Sequence, residues 1–288
     1  VSGTSVTSWS TSGWTPPSSD PSGITFIPGK GLLISDAEVE ETIALNQPTN
    51  LFTSTVAGVK TGHGSTKGWS NEPTGVAYVA KAGSPWDGHL FVSDDDRKEI
   101  FEIASAGADG QFGTSDDGTR TSFKTSPFDN TDPEDVAFDS AHNELWVAGG
   151  MSTIVSRVGP GPENKFATTA DNVTVNFWIP RLDPNNPPSP EGMAYDPERQ
   201  TIYVLDGESA VVFELARNGA VLNTIHLADV DMQNAGGITL DPASTFGDVV
   251  AVSNVEALSK YSVARWPDRS SKSPVSRIRS PWRVAVTP

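Results

Sequence analysis

Acidic side chains recur at matching places in several related segments of the sequence, each time beside a short apolar stretch. One set precedes the first apolar stretch of a segment and comprises Asp20, Glu72, Asp132 with Glu134, Glu191 and the amide Asn234. A second set follows the next apolar stretch and comprises Asp36, Asp94, Asp95, Asp96, Asp206 and Asn254. Carboxylates that converge raise one another's pKa unless a cation neutralises them, so a shared metal ion is one interpretation. Solvated side chains that cap turns are the other.

A second acidic feature is the glycine-rich loop at residues 109–117. Its oxygen donors are Asp109, the Gln111 carbonyl, Thr114, Ser115, Asp116 and Asp117. A hard cation such as Ca²⁺ takes about six to eight oxygen ligands, and glycines allow backbone carbonyls to turn inward. The loop therefore predicts a calcium site. The alternative is an Asp/Gly-rich turn whose side chains cap their own backbone, since the spacing is not that of an EF-hand.

A copy of this loop occurs at residues 163–171, and the longer stretches 107–117 and 161–171 align residue for residue. Glu163 replaces Asp109, Ala167 replaces Gly113 and Ala170 replaces Asp116. Because the copy has lost ligands, we expect a weak ion or none there.

Few residues of the sequence are suited to acid–base or nucleophilic catalysis. His63, within Gly62-His63-Gly64 and ahead of Glu72, is the candidate general base. The chain has no cysteine and no G-x-S-x-G nucleophile motif, which excludes thiolate chemistry and a serine elbow of that type.

These acidic residues are positioned by a repeat of roughly 50 residues that occurs five times. Each copy has a Pro/Gly corner, an alternating apolar strand, a turn and a second apolar strand, and most copies continue into two further strands. Four short strands per repeat predict an all-β β-propeller with antiparallel four-stranded blades. The starts of its innermost strands would collect around one mouth of the central channel.

The expected domain covers residues 1–264, with units near 20–72, 73–131, 132–188, 189–233 and 234–264. Five blades are predicted, with six as the alternative because residues 281–286 look like a fragmentary further copy. Residues 5–9 would then supply an outer strand to the last blade. The basic segment 265–288 is interpreted as a tail or a closing strand.

The composition makes some classes of binding partner unfavourable. The net charge of −16, from 20 basic and 36 acidic residues, opposes binding to nucleic acid. No stretch approaches the roughly 18 apolar residues of a membrane helix, so no membrane insertion is expected. We expect a monomeric domain that binds a protein, a glycan or a small molecule at a propeller face. A chain that begins at Val1 is expected to be processed or trimmed.

Three segments carry a family resemblance, namely 71–75, 132–139 and 189–196. They resemble blades of bacterial propellers of the SdiA-regulated and phytase-like groups, over roughly residues 20–262. The 109–117 loop resembles calcium loops interleaved with such blades in large secreted bacterial proteins. The resemblance implies a bacterial protein that is secreted or held at the cell surface.

The resemblance also implies two functions. The first is an extracellular calcium-binding module for recognition or scaffolding. The second is a calcium-dependent hydrolase, because propeller phytases and gluconolactonase-type lactonases hold calcium at the channel mouth. In that case the metal would be held by Glu72, Glu134, Glu191 and Asn234. The sequence departs from the phytase pattern because only Lys67, Arg97 and Lys98 lie near enough in sequence to bind phosphate.

Overall fold

The computed structural model describes residues 8–38, 48–166, 174–226, 235–240, 249–253 and 260–264. Within these residues the secondary structure is almost entirely β, with one 3-10 helix at Ser126–Phe128. None of the helical structure among the described residues is long enough to cross a bilayer.

After the short strand β1 (Ser8–Ser10), four blades follow, each made of four consecutive antiparallel strands. The first blade contains β2 (Pro21–Ile27), β3 (Gly31–Asp36), β4 (Leu51–Ser54) and β5 (Lys60–Gly64). The second contains β6 (Pro73–Tyr78), β7 (Leu90–Asp94), β8 (Glu99–Ile103) and β9 (Arg120–Lys124). The third contains β10 (Pro133–Asp139), β11 (Glu144–Gly149), β12 (Ile154–Val158) and β13 (Thr174–Trp178). The fourth contains β14 (Pro190–Asp196), β15 (Thr201–Asp206), β16 (Val211–Leu215) and β17 (Val221–His226).

The remaining strands form a composite sheet. It joins β18 (Ala235–Leu240), β19 (Val249–Ser253) and β20 (Lys260–Ala264) to the N-terminal strand β1. Trp9 of β1 lies opposite Tyr261 of β20 in the antiparallel register.

The all-β propeller with antiparallel four-stranded blades is therefore confirmed, but the prediction of five blades, with six as the alternative, is wrong because the described residues form four blades of consecutive strands. In the part of the last unit that the structure describes, three strands, β18, β19 and β20, belong to the composite sheet. The fourth strand of that sheet is β1, which overlaps the N-terminal residues 5–9 that were expected to supply an outer strand. The further copy at residues 281–286 and the basic segment 265–288 lie outside the described residues.

The first strand of each blade is the innermost one. The strands β2, β6, β10, β14 and β18 lie side by side, and β18 also contacts β2. Close approach at the channel requires glycine: a Cβ added to Gly23 would lie 2.6 Å from the Cα of Gly75. Adjacent blades pack face to face through buried apolar side chains such as Phe91 and Trp146, both fully buried. The starts of the innermost strands consequently lie close together at one end of the channel.

Candidate metal centre at the acidic mouth of the channel

Three carboxylates from two neighbouring blades meet at the start of β10. Asp95 directly follows β7, Asp132 directly precedes β10, and Glu134 is the second residue of β10. Each offers an oxygen atom, and these three oxygens lie within 4.8 Å of one another. We call this group, Asp95, Asp132 and Glu134, the mouth cluster. Its spacing is that of ligands that surround one ion.

Burial and repulsion between negative charges raise the pKa values of Glu134 and of the neighbouring Glu191. Burial raises the pKa of Glu134 to about 10, and the nearby negative charges, Glu191 first among them, add to the shift. Burial likewise raises the pKa of Glu191 to about 7. The Ser189 hydroxyl donates a hydrogen bond to Glu191 and opposes this shift, whereas the charge of Asp132 adds to it. In the absence of a cation, part of this site is therefore protonated at neutral pH.

Glu72 extends the mouth cluster on the side of the second blade. Burial raises the pKa of Glu72 to about 9, and a hydrogen bond to Asp95 contributes to the shift. The same hydrogen bond lowers the pKa of Asp95, although burial keeps that pKa above its ordinary value. Protonated Glu72 thus donates to the Asp95 carboxylate. A bound cation would displace that shared proton.

No basic side chain neutralises these groups among the residues that the structure describes. None of the ion pairs between described residues includes Glu72, Glu191 or a member of the mouth cluster. The Lys98 ammonium donates to the Thr131 carbonyl at 2.9 Å, and Arg97 Nε lies 3.7 Å from Asp94. In addition, Asp95 Oδ1 is buried and has no hydrogen-bond partner. A carboxylate cluster that is neutralised only in part, and by protons, is suited to a cation.

A short glycine turn after β11 holds Asp132 in place. The backbone N–H of Met151 donates to Asp132 Oδ2 at 2.5 Å. Gly150 packs so tightly here that an added Cβ would lie 2.7 Å from both Asp132 Oδ2 and Glu134 Cγ. The turn therefore fixes the distance between two members of the mouth cluster.

The donor set favours a hard divalent cation. All its atoms are carboxylate oxygens, which Ca²⁺ and Mg²⁺ prefer over the nitrogen and sulfur ligands of softer metals. The mouth cluster supplies three such groups, and Glu72 and Glu191 lie beside it. The residues present thus fit a calcium ion.

Two of the predicted residues have a different role. Asp36 accepts hydrogen bonds from the Ser18 hydroxyl at 2.6 Å and the Asp20 N–H at 3.0 Å. Asp206 accepts from the Ser189 N–H at 2.9 Å and the Ser209 hydroxyl at 2.5 Å. Both are buried, and each fixes the loop that leads into the innermost strand of its own blade. Their carboxylates therefore stabilise these loops by accepting hydrogen bonds.

Two further predicted residues, Asp20 and His63, are not part of the mouth cluster. Burial raises the pKa of Asp20 to about 7, helped by the charges of Asp36 and Glu38. His63 is exposed on β5, the outermost strand of the first blade and three strands from the channel. It is not brought to the carboxylates, so it is not placed to act as their general base. Asn234 lies outside the described residues.

The 109–117 loop uses its side chains to cap its own backbone. Asp116 Oδ2 accepts the N–H groups of Ala108 at 2.7 Å and Asp109 at 3.2 Å, and Thr114 donates to Asp116 Oδ1 at 2.7 Å. Asp109 accepts the N–H of Gln111 at 2.7 Å. These hydrogen bonds, that of Thr114 first, lower the pKa of Asp116.

Other groups of the same loop keep oxygen atoms that a cation would need. Asp117 accepts the N–H of Gly113 at 2.8 Å through Oδ2, while Asp117 Oδ1 is buried without a hydrogen-bond partner. Ser115 is exposed. The calcium prediction for this loop therefore stays a prediction.

The two loop copies share a structural role that the sequence reasoning missed. Phe112 of the first copy packs with buried residues of the first and second blades, including Leu51 and Phe101. Phe166 of the second copy is fully buried between the second and third blades, 5.0 Å from Trp86 by ring centroids. Each loop thus inserts an aromatic ring between two blades. The aligned phenylalanines were the available signal.

Asp135 is a second residue that sequence reasoning missed. It is fully buried, and its carboxyl accepts the N–H groups of Val136 at 2.8 Å and Met193 at 2.7 Å. A backbone hydrogen bond from Val76 reaches it as well. Burial raises its pKa well above the ordinary value. The signal was an aspartate where the register-equivalent residue of the other repeats, such as Gly75 and Gly192, is glycine.

Another group, Asp139, His142 and Glu144, also has three potential ligand atoms within 4.8 Å. His142 Nδ1 lies 2.8 Å from Asp139, however, and Arg217 binds Glu144 through two contacts of 2.6 and 2.9 Å. A guanidinium already neutralises Glu144 there. This group is an ion-pair network between the third and fourth blades.

Comparison with solved structures supports the architecture. Streptogramin B lyase has a TM-score of 0.51 at 10% identity, with 89% of this chain and 97% of that chain covered. A nidogen/laminin complex has a TM-score of 0.51 at 12% identity, with 82% of this chain and 73% of that chain covered. At such identities the likeness shows the fold alone.

Sequence comparison identifies the family. No curated protein sequence matches at a significant level. The model of the SdiA-regulated family matches residues 17–246, which is most of the chain. The resemblance of its blades to SdiA-regulated propellers is confirmed, and the chain belongs to the SdiA-regulated family.

Proposed function

We propose that this chain is an extracellular calcium-binding β-propeller that recognises a ligand through an ion at the acidic mouth of its channel. The observation that carries the proposal is the mouth cluster, whose three carboxylate oxygens lie within 4.8 Å of one another. Burial of Glu134 and the absence of an ion pair to it among the described residues support a cation as the missing neutralising charge.

The ligand would bind through the metal. Calcium takes about six to eight oxygen ligands, more than three carboxylates supply even when some bind through both oxygens. Glu72 and Glu191 are placed beside the cluster to add to the shell, and the positions left are open to water or to oxygen atoms of a partner. Hydroxyl or carboxylate oxygens of a glycan or a protein suit those positions.

Calcium affinity also bears on location. The millimolar calcium outside cells fills sites of modest affinity that would stay empty in cytosol. A shell of three carboxylates on two blades, without a dedicated cage, belongs to that modest class. This argument supports a secreted or cell-surface location as part of the proposal.

A calcium-dependent hydrolase is the second candidate, and Glu191 favours it. A carboxyl group with a pKa of about 7 beside a metal is suited to exchange protons at neutral pH. The ion would polarise a phosphoester or a lactone carbonyl, and Glu191 would take or give the proton. Against a phosphoester, Lys98 already donates to the Thr131 carbonyl.

Calorimetric titration of chelator-treated protein with CaCl₂ tests the main proposal. We expect Glu134→Gln to weaken calcium binding by at least about tenfold, since affinity follows the number of ligand charges. The control Glu163→Gln removes an exposed acid of the second loop copy and should leave the affinity unchanged. Absence of calcium binding by the wild-type chain would overturn the proposal.

A loop variant separates the two predicted ion sites. Asp117→Asn changes the 109–117 loop and leaves the mouth cluster intact. If Asp117→Asn abolished all calcium binding while Glu134→Gln had no effect, the mouth would not be the site.

Turnover distinguishes the hydrolase from the recognition module. Calcium-loaded protein would be assayed with 4-nitrophenyl phosphate and with a γ-lactone. Activity that Glu191→Gln removes without loss of calcium binding would establish the hydrolase. A loaded protein without turnover leaves the recognition module as the function.

A further inference from the structure

The opposite end of the channel holds a cavity that the acidic mouth does not use. Its volume is about 180 Å³, and all five innermost strands line it near their C-terminal ends. The largest lining side chains are those of Phe26, Tyr78, Phe138, Tyr195 and Leu240. We call this group the apolar rim. Each of these side chains stands at the same position of its repeat, so the ring follows from the repeat itself.

Small residues just inside the apolar rim create the space. The residue before each rim residue also lines the cavity, and these five residues are Thr25, Ala77, Ala137, Ala194 and Thr239. At this level of the channel every innermost strand has alanine or threonine. The preceding residue of each strand is valine, isoleucine or methionine. One layer of small side chains between two layers of larger ones leaves a pocket.

The walls of the cavity are uncharged. None of the residues that line it is acidic or basic, although the chain as a whole carries a charge of −16. Its polar side chains are hydroxyls, including those of Tyr78, Ser140 and Tyr195. Burial raises the pKa of both tyrosines above the ordinary value, so both stay neutral at physiological pH. An anionic ligand would lose its hydration here without gaining a counter-charge, because the charges that reach Tyr78 and Tyr195, those of Asp87 and Asp139, are negative.

The size of the cavity sets the size of its occupant. A dry cavity of about 150 Å³ binds benzene in another protein. Aromatic walls favour a planar ring by offset or edge-to-face packing, and a few hydroxyls orient a ligand that has one polar group. We propose that the apolar end of the channel binds a neutral molecule of one or two rings that carries a single hydroxyl or comparable group. This site is independent of the acidic mouth.

Fluorine NMR tests this proposal with two probes of matched size. The neutral probe is 4-fluorobenzyl alcohol and the charged probe is 4-fluorobenzoate. We expect saturable one-to-one binding of the alcohol, at least about tenfold weaker binding of the carboxylate because of its desolvation, and no effect of CaCl₂ or chelator on either. Equal binding of both probes, or no saturable binding of the alcohol, would overturn the proposal.

Two variants of one residue locate the binding in the cavity. Ala137→Leu fills the layer of small residues and should weaken binding of the alcohol at least about tenfold, whereas Ala137→Ser nearly keeps the size of the side chain and should retain binding. A folded Ala137→Leu protein with unchanged affinity contradicts the assignment.

A crystal soak of the wild-type protein keeps the test decisive if Ala137→Leu fails to fold. With 4-bromobenzyl alcohol, the anomalous signal of bromine should lie among the apolar rim. Bromine at the acidic mouth, or at any other site, would refute the proposal.

Discussion

The two ends of the channel are made by the same innermost strands, yet they differ completely in chemistry. At the acidic mouth, Asp95, Asp132 and Glu134 bring three oxygens within 4.8 Å and no described basic residue pairs with them. At the other end the cavity has aromatic and aliphatic walls without a charge. One set of packed strands therefore presents carboxylates at its starts and apolar side chains at its ends.

Asp135 lies between these two ends. Its carboxyl accepts N–H groups from Val76, Val136 and Met193, which belong to the second, third and fourth blades. A Cβ on Gly75 would lie 2.3 Å from Asp135 Oδ1, so the side chain occupies the channel against the neighbouring strand. Asp135 thus separates the acidic end from the apolar one and joins three blades.

The largest effect is expected from Asp135→Ala. The substitution leaves at least two buried N–H groups without an acceptor, and each such group costs about 1–3 kcal/mol. We expect the free energy of unfolding to fall by roughly 2–6 kcal/mol in urea denaturation. The control for the loss of a carboxyl group is Glu163→Ala. It removes an exposed carboxylate and should change the free energy of unfolding by less than about 0.5 kcal/mol. Equal stability of the two variants would show that Asp135 does not join the blades.

A smaller effect is expected from Gly150→Ala. The added methyl group would meet Asp132 Oδ2 and Glu134 Cγ at 2.7 Å and push two members of the mouth cluster apart. We expect calcium affinity to fall by about tenfold, comparable to the loss of a supporting contact in other metal sites, and binding at the apolar end to stay unchanged. The control is Gly68→Ala, because nothing lies within 4 Å of a Cβ at that position. Unchanged affinity in Gly150→Ala would mean that the turn does not set the spacing of the cluster.

Much of this arrangement could be predicted because the repeat fixes the position of each strand. The Pro/Gly corners located the innermost strands, and the acids ahead of them located the mouth. The sequence alone could not distinguish the metal-site role of Glu134 from the loop-stabilising role of Asp36, since both residues lie beside strands that meet at the channel. The difference lies in hydrogen bonds from residues distant in sequence: the Ser18 hydroxyl engages Asp36 at 2.6 Å.

The two loop copies show a second limit. Carboxylates and glycines of the 109–117 loop suggested an ion, while no role was predicted for the aligned Phe112 and Phe166. In the structure both phenyl rings are buried between blades. Burial of a phenylalanine contributes about 1.5–3 kcal/mol, so the shared ring gives the second copy a stabilising role that does not depend on a bound ion. Such a role depends on which blades meet there, and spacing alone does not reveal it.

The proton balance of calcium binding tests the central claim most directly. Glu72, Glu134 and Glu191 have pKa values raised to about 9, 10 and 7, so the folded protein holds more protons than the unfolded chain above pH 4.5. Without calcium, these groups stabilise the protein fully below that pH, and their contribution is lost as pH rises through the folded values. Calcium binds the deprotonated carboxylates and must release the protons.

Calcium titrations at pH 7.5 in PIPES, HEPES and Tris would measure this release through the different ionisation enthalpies of the buffers. The account predicts a net release of about one to two protons per calcium ion, reduced in Glu134→Gln. Binding enthalpies that do not depend on the buffer, or a release unchanged in Glu134→Gln, would contradict a metal centre at the acidic mouth.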